Sequence, residues 1–527
     1  MKTYLFKNAR FYALSPDETF TWMTVIDGRI YHLGRKKDEI PNLDYDQIID
    51  LNNKTVLPAF GDAHLHSLWM ARTFFEADLS KARSLQQALE ILTDFARSAY
   101  LPADWLIGRG YNKNLWKDGQ PHRKFLDVRF PTRPVFLQSQ DYHSAWLNTV
   151  ALKHCGISAR TPDPAGGRID KDAQGNLTGL LYDRAVDLAL KHLPPADAEQ
   201  LEKGVQQLVR RLHAKGITTI HTMEDAEAFS FWQNFQQKHP RQMRVVVYFQ
   251  QTELEQLIAG GLRSGFGNEW LRIGGIKFFS DGSLGSQTAL LSKPYEHTKN
   301  LYGLELMPEK ELRERIRLAE CHGLAVAVHA IGDRAVERVL KALKRNEACR
   351  KKFRLISRIE HVQLIRPDLL PLFNQYGLVA SMQPIHIADD VPTAERHWGK
   401  RSRWAYAFRS IKNTGVPLAF GSDAPVAEPD PIKGIFSAVN RRFQFSLNEP
   451  AWYPEERLTV AESIRAFTQG VAQATGQASA AGSLAPSKQA DFIVLNTDPF
   501  TKSEEEMLTL KVEQTFLSGE RVFPEME

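Results

Sequence analysis

Residues 56–70 read VLPAFGDAHLHSLWM: an apolar run, a small acidic turn, then His64 and His66 one residue apart. Successive side chains of a strand alternate sides, so both imidazoles point one way and Leu65 the other. With TVLPAFGDAH (55–64) as the first, similar apolar runs follow at ITTIHTM (217–223), RVVVYFQ (244–250), RIGGIKFFSD (272–281) and LAVAVHA (324–330). LISRIEHV (355–362), LVASMQP (378–384) and PLAFGSDA (417–424) bring the candidate strands to eight. Helical segments such as LRERIRLAECHG (312–323) and AVERVLKALKR (335–345) lie between them with a 3.6-residue apolar period. Eight strands alternating with helices predict an α/β fold, a (β/α)₈ TIM barrel. In it His64 and His66 face the interior at the C-terminal end, where barrel enzymes place their chemistry.

Both chain ends look different. YLFKNARFYAL and TWMTVIDGRIYHLG at the start, with QADFIVLNTD and KVEQTFLSGERVF at the finish, are short runs rich in β-branched and aromatic residues, broken by Asp-Gly and Ser-Gly turns. Neither end has enough strands to stand alone. The expectation is a composite β-sandwich from residues 1–55 and 480–527, with the barrel over 56–479. The stretch from about 80 to 205 is too long for one βα connection; it carries helices, Trp105, Trp116 and Trp146, and reads as an insertion after strand one that caps the barrel mouth.

The bulk composition narrows the function classes. A net charge of +5 over 527 residues, with basic residues scattered, argues against nucleic acid or an acidic membrane as partner. No run of about 18 apolar residues occurs, so no membrane span is expected. The first residues lack a signal-peptide core, and Cys155, Cys321 and Cys349 form no CxxC pair and no framework. A cytoplasmic, reducing location is the default; for assembly, a homodimer is.

The polar residues at the strand ends carry the chemistry. Strand four holds Lys277 in an otherwise apolar run, strand five ends with His329, strand six with His361 and strand eight with Asp423. Left unpaired in a barrel interior, these groups would be costly. Imidazole nitrogen and carboxylate oxygen bind zinc and similar divalent ions, so a metal site explains the set together. A buried lysine flanked by cations has a lowered pKa. Its neutral amine can react with carbon dioxide to give a carbamate, able to bridge two metals roughly 3.5–4 Å apart. Individually, each residue has a plainer reading. His64 and His66 can be hydrogen-bonded core residues, Lys277 can pair with Asp423 in a one-metal site, and Asp423 can cap the following helix.

This pattern resembles the amidohydrolase superfamily, whose barrel carries metals on HxH, a strand-four carboxylated lysine, two further histidines and an aspartate. The strings GRGYNKNLW, DYHSAWLNTVAL, IKFFSDGSLGSQTA, VAVHAIGDRAV, RIEHVQ and FGSDAPV resemble the branch of metal-dependent hydrolases that includes N-substituted formamide deformylase. The resemblance implies hydrolysis of a C–N bond in an amide-like small molecule, with two divalent ions, zinc first among them. It assigns His64, His66 and Asp423 to the inner ion, His329 and His361 to the outer one, and carboxylated Lys277 to the bridge. A metal-activated hydroxide is then the nucleophile, and Asp423 carries its proton to the leaving amine.

Substrate contacts are sought in Asp141, His143, Tyr111 and Trp116 of the insertion and in His386 after strand seven, with Arg334 as a further residue for the mouth. Tyr111 and Trp116 have the core as their alternative. For His386 and Arg334 it is the solvated surface. Asp281 and Ser283 are expected to shape the loop after strand four, and His221 and Glu224 lie at the end of strand two. His213, His154, His122 and His32 read as surface residues. Two competing functions share this fold. A one-metal deaminase of an aminated ring generally adds a Glu three residues after the strand-five histidine, where this chain has Gly332. A non-catalytic scaffold loses ligands, and this chain keeps all six.

Overall fold

A computed structural model describes residues 2–525 except 16, 99–104, 141, 143, 165 and 195–196. The chain divides into two compact units, one of Met1–Ser67 with Leu208–Glu527 and one of Leu68–Gln207.

In the first unit eight parallel strands form one sheet: β1 (Phe60–Leu65), β2 (Ile217–Met223), β3 (Arg244–Gln250), β4 (Leu271–Phe279), β5 (Val326–Ala330), β6 (Arg358–His361), β7 (Val379–Met382) and β8 (Leu418–Phe420). The sheet closes between its ends, where Asp423 N–H donates to His64 O at 2.7 Å and His66 N–H to Ala424 O at 2.8 Å. Closure needs a glycine at 421, because a Cβ there would stand 2.5 Å from His64 N and 2.7 Å from Asp62 Oδ1. The strands are nearly continuous apolar runs, as expected when both faces of a parallel sheet are covered. The covering helices bury one stripe each; Glu309–Cys321 turns Leu312, Ile316 and Ala319 inward at helical spacing.

One run serves two sheets. The candidate strand 55–64 breaks at Ala59: Gln47–Pro58 belongs to a second sheet, and Phe60 starts the barrel. That second, seven-stranded sheet joins both ends of the chain, with Phe492–Leu495 antiparallel to Gln47–Pro58. Its core stacks Phe492 on Phe516 at 4.5 Å, with Phe6 edge-on to both.

The Leu68–Gln207 unit is built around a six-stranded sheet, which the sequence reading of this stretch did not anticipate. Trp146, Tyr111 and Trp116 fill one of its cores.

Two further expectations change. Cys321 and Cys349, at the ends of neighbouring helices, are joined in a disulfide with their Cα atoms 4.9 Å apart, leaving Cys155 as the free, buried thiol. A pairing between helices 28 residues apart leaves no CxxC trace. His213, expected at the surface, is only 3 % exposed, because its Nε2–H reaches inward to Gln242 O at 2.8 Å. No helix among the described residues is long and apolar enough to cross a membrane.

Candidate metal centre

The six strand-end residues converge. His64 lies on β1 and His66 just beyond it, Lys277 is on β4, His329 on β5 and His361 ends β6, while Asp423 follows β8. At His361 (φ 70°) and Asp423 (φ 60°) the backbone is left-handed, a conformation that non-glycine residues rarely adopt and that clusters at functional sites. Ligand atoms of His64, His361 and Asp423 lie within 4.8 Å of one another. The His66 ring is 5.6 Å from that of His64, and the His329 ring 4.5 Å from that of His361. Lys277 Nζ is 3.4 Å from His64 Nε2.

Each imidazole has one nitrogen committed to an acceptor. His64 Nδ1–H donates to Glu360 Oε2 at 2.6 Å, His66 Nδ1–H to Met223 O at 2.9 Å, His361 Nδ1–H to Gln383 Oε1 at 2.9 Å, and His329 Nε2–H to Gly282 O at 3.0 Å. In a neutral ring the second nitrogen then carries the lone pair. For His64 that second nitrogen faces Asp423 Oδ1 at 3.4 Å, and His66 Nε2 lies within hydrogen-bond distance of the same oxygen at 3.2 Å. The lone pairs of His64 Nε2 and Asp423 Oδ1 repel at that distance unless a cation lies between them. Outer acceptors that fix the tautomer of inner imidazoles are the usual support of a metal site. The donor set therefore fits a divalent ion.

The electrostatics agree. Burial, and then the nearby Lys277, push His64 down to about 4, and the same two causes push His329 down to about 3. Burial also holds His361 well below its ordinary value. Lys277, 1 % exposed, is pushed down to about 8 by burial, against the pull of Glu360 and Asp423.

Several contributors escaped the sequence reading. Asp62 accepts from His64 N–H and Ser422 N–H with Oδ1, and from the Ser422 hydroxyl with Oδ2 at 2.6 Å, tying β1 to the turn that presents Asp423. Glu360 and Gln383 hold two of the histidines. The available signal was RIEH in β6, where two charged residues alternate within a strand expected to be buried.

The remaining candidates separate. His386 is buried and donates from Nε2 to Ser422 O at 3.1 Å, next to Asp423. Tyr111 and Trp116 are interior residues of the Leu68–Gln207 unit, where the Tyr111 hydroxyl pairs with Ser144 Oγ at 3.0 Å. Asp141 and His143 lie outside the described residues. Arg334 is exposed. Asp281 accepts backbone N–H groups from Leu290, Ile331 and Gly332, joining the loops after β4 and β5. His221 is fully buried beside Arg358, and Glu224 accepts from Ser67 and Thr222 hydroxyls.

The model of the Amidohydrolase family matches residues 47–523. The chain is 33 % identical over 491 residues to the Bacillus subtilis (strain 168) protein named "Putative amidohydrolase YtcJ", covering 90 % of each. It is 26 % identical to N-substituted formamide deformylase of Arthrobacter pascens, over 90 % of this chain and 89 % of the relative. Among solved structures, an uncharacterized metal-dependent hydrolase from Pyrococcus horikoshii OT3 superposes with a TM-score of 0.80 at 27 % identity, over 95 % of this chain and 99 % of the other. With a closed eight-stranded barrel whose strand ends gather four oriented histidines, a lysine and an aspartate, the chain belongs to the amidohydrolase family of metal-dependent hydrolases.

Proposed function

We propose that the protein hydrolyses a C–N bond in an amide-like small molecule, an N-substituted formamide being one candidate, with two divalent ions, zinc by preference. The observation that carries this reading is the convergence of the four imidazoles with Lys277 and Asp423, each ring oriented by one nitrogen tied to an acceptor outside that set. His64, His66 and Asp423 would hold one ion and His329 and His361 the other, with Lys277 between them. Divalent ions held there would supply a Lewis acid and lower the pKa of a water to near 7. Lys277, pushed down to about 8 by burial, would join them as a carbamate, formed when its neutral amine takes up carbon dioxide and releases a proton to solvent. Asp423 takes the proton of the attacking water and returns it to the leaving nitrogen, so that an amine departs instead of an amide anion.

Gly332 favours this reading over ring deamination. A Cβ at that position would stand 2.1 Å from Leu290 O, so the backbone around it accommodates no glutamate shuttle. The deformylase relative supports the amide-like substrate class. The test is metal analysis followed by a screen of N-formyl amines, N-acyl amines, hydantoins and cyclic imides. About two ions per chain are expected, with release of an amine from the acyclic substrates or ring opening of the cyclic ones. One ion with ammonia released from an aminated ring would replace this reading with the deaminase, and a protein that takes up no ion would replace it with the scaffold.

A further inference from the structure

Beneath the metal ligands, the barrel interior holds a charged pair that no ligand role uses. Glu360 and Arg358, both on β6 and both fully buried, face each other with Arg358 Nε–H donating to Glu360 Oε1 at 2.6 Å. The second carboxylate oxygen accepts from His64 Nδ1–H, also at 2.6 Å. Arg358 is held on its other sides: Nη2 donates to Ala63 O at 2.5 Å, Nη1 to His221 Nδ1 at 2.9 Å, and its plane lies over the Tyr248 ring at 4.6 Å. A buried ion pair adds little stability over apolar residues of the same shape, so its presence calls for another reason.

We propose that Glu360 is a positioning residue for His64, and that Arg358 is the anchor that keeps Glu360 in place. The inference rests on the metal-dependent reading of the site. Oε2 keeps the proton of His64 on Nδ1 and aims Nε2 at the ligand cluster, while Arg358 holds the carboxylate in place through Oε1 at 2.6 Å and, more weakly, through Oε2 at 3.4 Å. A carboxylate behind a ligating imidazole also raises the basicity of the ring, and losing such a partner commonly weakens metal binding about 10- to 100-fold. Glu360 has a second effect. Its charge offsets Arg358, which would otherwise present an unbalanced cation below a site meant to collect cations.

Two substitutions separate orientation from packing. Glu360→Gln keeps the shape but offers only one acceptor oxygen to two donors. Glu360→Asp keeps the charge that Arg358 needs, and with it the fold, but is one methylene too short to serve both neighbours. Cobalt(II) affinity, by competition with a chelator, and the visible spectrum of the cobalt-loaded protein are measured for both and for the wild type. Affinity about 10- to 100-fold weaker with an altered spectrum, in Glu360→Asp at near-wild-type thermal stability, is the expected result. Wild-type affinity and spectrum in Glu360→Asp would overturn the role, whether or not Glu360→Gln folds. A wild-type protein that binds no cobalt would instead remove the metal centre itself, and the role with it.

Discussion

Lys277 Nζ lies 3.4 Å from His64 Nε2 in the barrel interior, a distance at which two protonated groups would repel strongly. Burial and mutual repulsion hold His64 neutral, and burial brings Lys277 down to about 8. In the proposed function both serve as ligands, the lysine after taking up carbon dioxide.

Replacing Lys277 with Ala is expected to lower metal content below the wild-type level and abolish turnover. The barrel should remain folded, since the change removes a buried cation. Metal analysis and activity of the purified variant decide it: full occupancy with wild-type turnover would contradict the bridge.

Asp423→Asn tests the proton carrier. Asparagine tolerates the left-handed backbone at this position (φ 60°), so the fold should persist. A fall in kcat of about 10²–10⁴ is expected. A variant that is folded, loaded with metal and unchanged in kcat would move the proton transfer to another group.

Asp281 joins two loops at the mouth of the barrel through three backbone N–H groups. Asp281→Ala leaves those buried donors without their acceptor, each at a cost of about 1–3 kcal/mol. A loss of at least about 3 kcal/mol in urea unfolding is therefore expected. An unchanged midpoint would show that the loops hold without it.

His213 predicts a pH dependence away from the metal centre. Burial pushes it down to about 4 in the folded chain, whereas an unfolded histidine titrates near 6.5. Between those values the unfolded chain binds the proton that the folded chain refuses. The stabilisation is complete above about pH 6.5 and falls as the solution is acidified toward 4, by up to about 3 kcal/mol. His213→Gln should lose less stability than the wild type between pH 7 and pH 5 in urea titrations. Parallel losses would sink the assignment.

The Cys321–Cys349 disulfide closes a loop spanning 28 residues, which in the chain-entropy account stabilises by about 3–4 kcal/mol. Thiol titration of the denatured protein should find one reactive group without reductant and three with it. The melting temperature should fall on reduction. Three thiols without reductant would show that the bridge does not form in solution.

Much of the barrel is legible locally. β2 and β3 occupy 217–223 and 244–250 as their β-branched runs indicate, because a strand covered on both faces needs an unbroken apolar sequence. His64, His66, Lys277, His329, His361 and Asp423 stand out for the same reason: each is a polar residue ending or interrupting such a run. Less legible was where one sheet stops and another begins. The run 55–64 reads as one strand despite Pro58, a break signal just before Ala59, and its pairing with Phe492–Leu495 on one side and with β2 on the other divides it there.

What the sequence determined by itself was the kind and spacing of the residues that can form a metal-binding barrel, since apolar period and side-chain chemistry are local properties. Tertiary structure alone decided which acceptor stands behind each imidazole. Glu360 and His64 are 296 residues apart, Gln383 and His361 only 22, and Met223 reaches His66 through a backbone carbonyl that no side chain announces. Such partners are chosen by the closing of the sheet, which brings the ends of distant strands together; composition and periodicity carry no record of that closure.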